Sequence, residues 1–249
     1  MSRKIPLSIA IITKNEELNI TEALESIRDF NDIVVVDSFS TDRTLEICRN
    51  YTDRIYQHEW MGFSTQKQKA VDYAKNDWVM ILDADERVTP ELKHEMMREI
   101  AIGGNVGFYV PRKNFFLGKW IRRSGWWPDY TLRIFRKDAG YVEPREVHEK
   151  VVINGPTAYL KNPLIHHTYT TLNDYMQKMD LYSGLAAEGI LRQNGRPSSC
   201  SLIINPAAVF LKMYILRQGF RDGIHGLMLA ILYAFQTFLK YAKALEKDL

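Results

Sequence analysis

The stretch Trp78-Val79-Met80-Ile81-Leu82-Asp83-Ala84-Asp85-Glu86 decides the fold class. Its first five residues form a short, continuous apolar run, which is typical of a strand buried on both faces of a parallel sheet. Open α/β sheets bind ligands at the carboxyl ends of their strands, where Asp83 and Asp85 fall. Two carboxylates separated by one small residue can reach a single hard cation that also holds a diphosphate. The stretch therefore predicts an α/β enzyme with a metal-assisted phosphate site.

The first hundred or so residues alternate between strand and helix patterns. Strands are predicted at 8–13, 33–36 and 54–56 and directly before Asp83. Helices between them are expected to start at Asn19 with Glu22, at Ser40 or Thr41, and at Thr89-Pro90. Such alternation predicts a doubly wound, mainly parallel central sheet.

The domain organisation follows from changes of pattern along the chain. Residues 1–195 are predicted to form one domain, with a nucleotide-binding half at 1–103 and an acceptor half at 104–195. The acceptor half carries predicted strands at 106–111, 131–135 and 147–153, and a helical pattern from 172. The Pro and Ser cluster at 196–201 marks the start of a C-terminal helical appendage, 196–249.

Composition narrows the class of protein. The 249 residues are 46% hydrophobic and 25% charged, which is ordinary for a globular protein. The net charge of +3 comes without a basic stripe, so no nucleic-acid partner is expected. Cys48 and Cys200 fit neither a disulfide framework nor a zinc site, and two free thiols are expected.

The expected location is cytoplasmic. Met1 to Lys4 leads straight into the first predicted strand without a signal peptide. The apolar run at 226–234 is shorter than the ~20 residues that a membrane span needs. We expect a protein that lies on the inner face of the cytoplasmic membrane; the oligomeric state stays open.

The loops after the first two strands carry polar residues suited to a nucleoside. Thr13 and Asn15 offer neutral hydrogen bonds, and Asp37 can accept one from a uracil imino group or a ribose hydroxyl. Asp37 as a plain turn residue is the alternative. Neither loop is rich in glycine, which disfavours a dinucleotide site, a P-loop or a nucleotidyltransferase. Lys67 can meet a phosphate or belong to a solvated helix face.

Three of these segments carry a family resemblance: 9–17, 37–42 and 82–86, extended by Trp127-Pro128, 132–136 and 147–149. They resemble inverting glycosyltransferases of family 2, which have the GT-A fold. Within that family they are similar to the branch that contains lipopolysaccharide-core β-1,4-glucosyltransferases acting on heptose. The resemblance spans roughly the whole chain.

The resemblance implies a role for each matching residue. Thr13, Asn15 and Asp37 match uridine-binding positions, Asp83 contacts ribose or metal, and Asp85 holds Mg or Mn on the diphosphate. The complete expected nucleotide-sugar site is Thr13, Asn15, Glu17, Asp37, Lys67, Asp83, Ala84 and Asp85. One departure is that the family's frequent Glu-Asp base motif is absent, and Val147-His148-Glu149 stands in its place.

Inverting transfer needs one base to take the proton of the acceptor hydroxyl. The candidates are Glu143, Glu146 and Glu149; Glu149 is favoured with Glu146 as the alternative, and His148 can orient the base or touch the diphosphate. The expected acceptor or phosphate contacts are Trp127, Arg133, Arg136 and His148. A core clamp is the alternative for Trp127, and a surface position is the alternative for Arg133. His166 and His167 are adjacent on a predicted strand and point to opposite faces, so one of the two can be a third metal ligand; a structural role is the alternative.

The C-terminal segment reads as two helices, 205–221 and 224–247, with apolar residues and scattered cations. Such a surface suits an anionic lipid interface, and packing within the protein or a dimer contact is the alternative. The sequence thus predicts a transferase that moves a hexose from a UDP-sugar to a lipid-linked glycan. The alternatives are protein, polyprenyl-phosphate or capsule acceptors, and a non-catalytic scaffold at the membrane surface.

Overall fold

The computed structural model describes residues 5–144 and 150–246. The strands in chain order are β1 Ile5–Thr13, β2 Phe30–Asp37, β3 Ile55–Gln57, β4 Trp78–Asp83, β5 Glu86–Val88, β6 Gly107–Phe116, β7 Lys119–Trp120, β8 Asp129–Arg136, β9 Gly140–Glu143, β10 Lys150–Ile153, β11 Thr157–Tyr159 and β12 Leu164–Tyr169. The α-helices are α1 Ile20–Ile27, α2 Thr44–Arg49, α3 Phe63–Tyr73, α4 Pro90–Ile102, α5 Leu172–Asn194, α6 Ser201–Leu211 and α7 Ile224–Glu246. A π-helical turn, Lys212–Leu216, continues α6, and a 3-10 turn, Gly219–Asp222, precedes α7.

One large sheet runs in the order β3-β2-β1-β4-β8-β6-β12-β5, and β9 and β10 form a separate pair. The strands β3, β2, β1 and β4 run parallel to one another, whereas β8 pairs antiparallel with β4. The predicted α/β class and the predicted parallel strands are confirmed.

Helices cover both faces of the parallel strands. On β1, Ile9 and Ile11 face a core cluster that contains Leu24 of α1. Ala10 faces the opposite side, where a second cluster contains Val71 of α3. This alternation along a buried strand is what a doubly wound sheet requires.

The predicted helix starts are partly correct. Thr89 caps α4 by accepting a hydrogen bond from the Leu92 N–H at 3.2 Å, and Pro90 follows as expected. Helix α2 begins at Thr44 rather than after Ser40 or Thr41, because the Asp42 carboxylate accepts from the Thr44 N–H at 3.0 Å. The Asn19 side chain does not cap α1 but donates to Glu16.

The chain divides into two compact units. The first comprises Met1–Arg112 with Tyr130–His166, and the second comprises Lys113–Asp129 with His167–Leu249. The second unit has its own core of large apolar side chains: Phe116, Ile121, Trp126, Tyr175, Met179 and Leu229. The domain boundaries expected at 103 and 195 stay a prediction.

Cys48 is buried and Cys200 is exposed, and both are free, as expected. Burial raises the pKa of the Cys48 thiol to about 12. No described helix is both long enough and apolar enough to cross a lipid bilayer.

Candidate functional site

Polar residues from three neighbouring strands meet at one edge of the sheet. In the parallel register, Thr13 at the end of β1 pairs with Asp37 at the end of β2. On the other side of β1, Ile12 pairs with Asp83 at the end of β4. The structure therefore brings the two expected nucleoside residues to the same edge as the acidic pair, as strand order 2-1-4 requires.

Asp37 organises the loop that follows β2. Its buried carboxylate accepts hydrogen bonds from the Thr13 hydroxyl at 3.0 Å and from the Ser40 N–H at 2.9 Å. The side-chain amide of Gln57 donates to it at 3.3 Å. The side chains of Thr13 and Asp37 thus link the carboxyl ends of β1 and β2 through a hydrogen bond.

The loop after β1 is bonded to the loop after β2. Asn15 has a positive φ of 55°, its N–H donates to the Ser40 hydroxyl, and its side-chain oxygen accepts from the Thr41 N–H at 2.8 Å. The Glu17 carboxylate accepts from the Arg43 N–H at 3.1 Å. Both expected residues therefore hold the loop after β1 against the loop after β2.

Asp42 completes this link between the loops. It accepts from the Glu17 N–H at 3.1 Å and from the Thr44 hydroxyl at 2.6 Å. Burial raises its pKa, but the hydrogen bonds from Thr44 and Glu17 lower it further, so the net pKa lies below the usual range. Asp42 is thus an ionised acceptor at the start of α2.

The Asp83 carboxylate lies between two buried cationic side chains. Lys67 Nζ is 2.8 Å from one carboxylate oxygen, and the Arg133 guanidinium donates to the other. The Lys67 and Arg133 residues are only 3% and 4% exposed. Burial raises the pKa of Asp83, but these two cations outweigh it and hold the pKa well below its usual range. Their pairing stabilises the fold above pH ~4 and is lost as the pH falls through the lowered pKa.

Glu86 fixes the turn that carries the acidic pair. It is fully buried, and its carboxylate accepts from the Asp83 N–H at 3.1 Å. The same carboxylate pairs with Arg133, and the Arg112 guanidinium lies 3.6 Å away. Glu86 therefore holds the backbone of the turn and the Arg133 side chain in place from within the core. Its position in the sequence motif alone did not indicate this role.

Asp85, the second acid of the turn, meets His166. Its carboxylate oxygen lies 3.4 Å from His166 Nε2, and its side chain is 18% exposed. Ala84 between the two acids is buried, and its carbonyl accepts from Arg87. The strand β12 brings His166 opposite Glu86, which explains the contact.

This pair of side chains fits a divalent metal. Within residues 5–144 and 150–246, no group of three or more His, Cys, Asp and Glu side chains is arranged to hold a metal ion. A cation that also binds a diphosphate needs only one or two protein carboxylates, because phosphate oxygens and water supply the other ligands. Carboxylate oxygens suit Mg and Mn, and an imidazole nitrogen is a ligand that divalent transition metals accept.

A cavity of about 340 Å³ opens beside Lys67 and Arg133. The Nε atom of Arg133 is buried and has no hydrogen-bond partner in the described part of the chain. The cavity is rich in cations and tyrosines; its lining residues are Lys67, Ile81, Tyr109, Arg112, Tyr130, Thr131, Leu132, Arg133, Val142, Lys150 and Val151. A cavity of this character suits an anionic, hydroxyl-bearing ligand.

The other expected acceptor residues are spread over the chain. Trp127 belongs to the second unit, where its ring meets that of Trp120 edge-on at 5.4 Å. Arg136 is exposed at the end of β8 and forms an ion pair with Asp138. Glu146, His148 and Glu149 lie outside the described residues.

Sequence reasoning missed Tyr109 and Arg112, which line the cavity from β6. Their strand was expected at 106–111, but nothing in the sequence indicated that it would pair beside β8 in the sheet. The pairing of distant strands is set by packing of the whole sheet, so no local motif could have given it.

Replacing Arg133 with Met should lower the free energy of unfolding by about 3–5 kcal/mol, because the buried Glu86 and the adjacent Asp83 lose their shared cation. Urea unfolding of the purified variant measures this. Arg136→Met, on the same strand but in an exposed ion pair, is the matched control and should cost less than about 1 kcal/mol. Equal, small losses in both variants would show that the buried cluster contributes little.

Comparison with known proteins places the chain. The family model for glycosyl transferase family 2 matches residues 8–159, which is more than half of the chain. The chain is 30% identical to the lipopolysaccharide core biosynthesis glycosyltransferase LpsC of Rhizobium meliloti (strain 1021), over 99% of this chain and 94% of that protein. It is 29% identical to an uncharacterized glycosyltransferase of Rickettsia bellii (strain RML369-C), over 98% and 87%.

Solved structures agree on the fold. The mannosyltransferase PcManGT from Pyrobaculum calidifontis, in complex with GDP-Man and Mn2+, superposes with a TM-score of 0.55 at 16% identity, over 100% of this chain and 89% of that one. S. aureus TarS 1-349, in complex with UDP, gives a TM-score of 0.51 at 17% identity, over 98% and 91%. The GT-A fold expected from the sequence is confirmed, and the chain belongs to glycosyl transferase family 2.

Proposed function

We propose that this glycosyltransferase is an inverting enzyme that moves a hexose, most simply glucose, from a UDP-sugar to a lipid-linked glycan such as the inner-core heptose of lipopolysaccharide. The observation that carries the proposal is the meeting of Thr13, Asp37 and the Asp83-Ala84-Asp85 turn at one edge of the sheet. The similarity to LpsC, a lipopolysaccharide core biosynthesis glycosyltransferase, supports the class of acceptor.

The nucleoside is assigned to the joined loops after β1 and β2. Thr13, Asn15 and Asp37 supply hydroxyl, amide and carboxylate groups there, and Glu17 holds the second loop through the Arg43 N–H. A carboxylate can accept from a uracil imino group or a ribose hydroxyl. TarS with UDP and PcManGT with GDP-Man have the same fold, so the fold alone does not choose the base.

Asp85, with His166 beside it, and Asp83 are the residues that would hold Mg or Mn, and Asp83 also pairs with Lys67 and Arg133. When bound, such a cation offsets the negative charge that develops on the leaving nucleoside diphosphate. The Mn2+ in the PcManGT complex supports a divalent metal in this fold. Ala84 is buried between the two acids.

Lys67 and Arg133 have a second role at the cavity wall. Both line it, and the Arg133 Nε is without a partner in the described residues. A guanidinium and an ammonium group in a cavity wall can bind a phosphate or another anionic oxygen. We assign these cations to the charged part of the substrates, where they draw the leaving group or the acceptor into place.

The proton of the acceptor hydroxyl goes to a carboxylate on the far side from the diphosphate. We assign this base to Glu149, with Glu146 as the alternative, on the sequence motif with His148. Trp127 and Arg136 are assigned to the acceptor, since an aromatic face packs on sugar C–H groups and a guanidinium binds phosphate.

Asp85→Asn should lower kcat/KM by roughly 10²–10³-fold or more. Without the Asp85 carboxylate the protein would hold the divalent cation poorly, and the negative charge on the leaving diphosphate would be less well offset. The assay measures UDP release from UDP-glucose with lipid A-core as acceptor, and thermal unfolding checks the fold. Asp53→Asn, which changes an exposed aspartate of the same unit, is the matched control and should keep full activity. Full turnover by Asp85→Asn would contradict the proposed site.

Glu149→Gln should lower kcat by roughly 10²–10⁴-fold while leaving the KM for the UDP-sugar nearly unchanged, since a base acts on the acceptor proton. Steady-state kinetics of Glu149→Gln and Glu146→Gln, measured under the same conditions, give kcat and KM separately for each variant. A large loss in Glu146→Gln with near-normal Glu149→Gln would reverse the assignment. Normal kcat in both would rule out either residue as the base.

A further inference from the structure

Helix α6 and the π-helical turn after it expose an apolar face. Exposed positions recur at 203, 204, 207, 208, 211, 212, 215 and 216, a spacing that puts them along one side of a helix. Seven of these eight residues are apolar, and we call them the α6 stripe: Ile203, Ile204, Ala207, Ala208, Leu211, Ile215 and Leu216.

The α6 stripe departs from the usual pattern of a surface helix, whose exposed side is polar. Ile203 is 75% exposed and Leu216 is 77% exposed, and no residue of α6 is buried. Helix α7, by contrast, buries Leu229 and Ala230. A contiguous exposed apolar surface of this kind marks an interaction site.

The surroundings of the α6 stripe are cationic. From Gly189 to Arg221 the chain contains no Asp or Glu, and exposed Lys212, Arg217 and Arg221 lie in and beside the stripe. The next acid, Asp222, is 4% exposed and is occupied by the N–H groups of Arg122 and Arg123.

Those bonds to Asp222 add further cations at the end of the stripe. The Asp222 carboxylate accepts from the Arg123 N–H at 2.8 Å and from the Arg122 N–H at 3.3 Å, while Lys119 Nζ donates to the Asp222 carbonyl. Both arginine side chains are exposed. The Asp222 carboxylate is therefore turned inward, whereas the side chains of Arg122, Arg123 and Arg221 near it are exposed.

We propose that the α6 stripe docks the protein on an anionic lipid surface. Apolar side chains flanked by Lys and Arg enter the boundary between headgroups and acyl chains, and the cations bind the acidic headgroups. A second copy on the same face would set like charges against each other across a twofold axis, which costs free energy. The inference concerns the second unit and does not depend on the donor site assigned above.

The test is co-sedimentation of the full chain with vesicles of phosphatidylcholine that contain about 30% phosphatidylglycerol, at about 0.05 and 0.5 M salt. The protein should sediment with these vesicles at low salt, and far less at high salt or with phosphatidylcholine alone. Ile203→Asp should weaken the partition by roughly tenfold or more, since a charge enters the apolar face. Lys212→Glu with Arg221→Glu should weaken binding and flatten its salt dependence.

Ile102→Asp is the matched control, because Ile102 on α4 is 70% exposed against 75% for Ile203; this variant should bind like the unchanged protein. UDP titration and thermal unfolding check each variant, and Leu216→Asp replaces Ile203→Asp if the latter unfolds early. The proposal is overturned if the unchanged protein ignores anionic vesicles or if Ile203→Asp and Ile102→Asp bind alike. It is also overturned if Ile203→Asp only converts a dimer to a monomer.

Discussion

The site depends on one buried ionic cluster at the end of β4. Asp83 pairs with Lys67 and Arg133, and Arg133 also pairs with the fully buried Glu86. Buried charges are costly unless each finds a partner, so the four side chains hold one another in place. Because Glu86 also accepts from the Asp83 N–H, the cluster fixes the backbone of the turn that carries Asp85.

The cluster gives the two acids of the motif different surroundings. Asp83 is neutralised from two sides and shapes the turn, whereas Asp85 is partly exposed beside His166. A pair of identical residues can therefore serve two purposes, since environment rather than residue type sets what a carboxylate does. Under the proposed function, Asp83 holds the cations of the cavity and Asp85 faces the donor diphosphate.

The sequence predicted the fold where the signal was local. Apolar runs ending in Thr13, Asp37 and Asp83 predicted parallel strands, and their common edge followed from the topology of such sheets. The sequence did not indicate which charged side chains would contact one another. The contacts of Arg133 with Asp83 and of Asp85 with His166 join residues 50 or more positions apart, through strands whose order is set by the packed sheet. The sequence indicated apolar, cationic C-terminal helices, but the structure was needed to tell which side of α6 is exposed.

The most direct test of the central claim is calorimetric titration of the protein with UDP-glucose, first with Mn2+ and then with a chelator, and with GDP-mannose for comparison. If this edge of the sheet is a metal-assisted UDP-sugar site, UDP-glucose binds with Mn2+, binding weakens by roughly tenfold or more with the chelator, and GDP-mannose binds far more weakly. Absence of UDP-glucose binding, or equal affinity with and without metal, would contradict the proposed donor site.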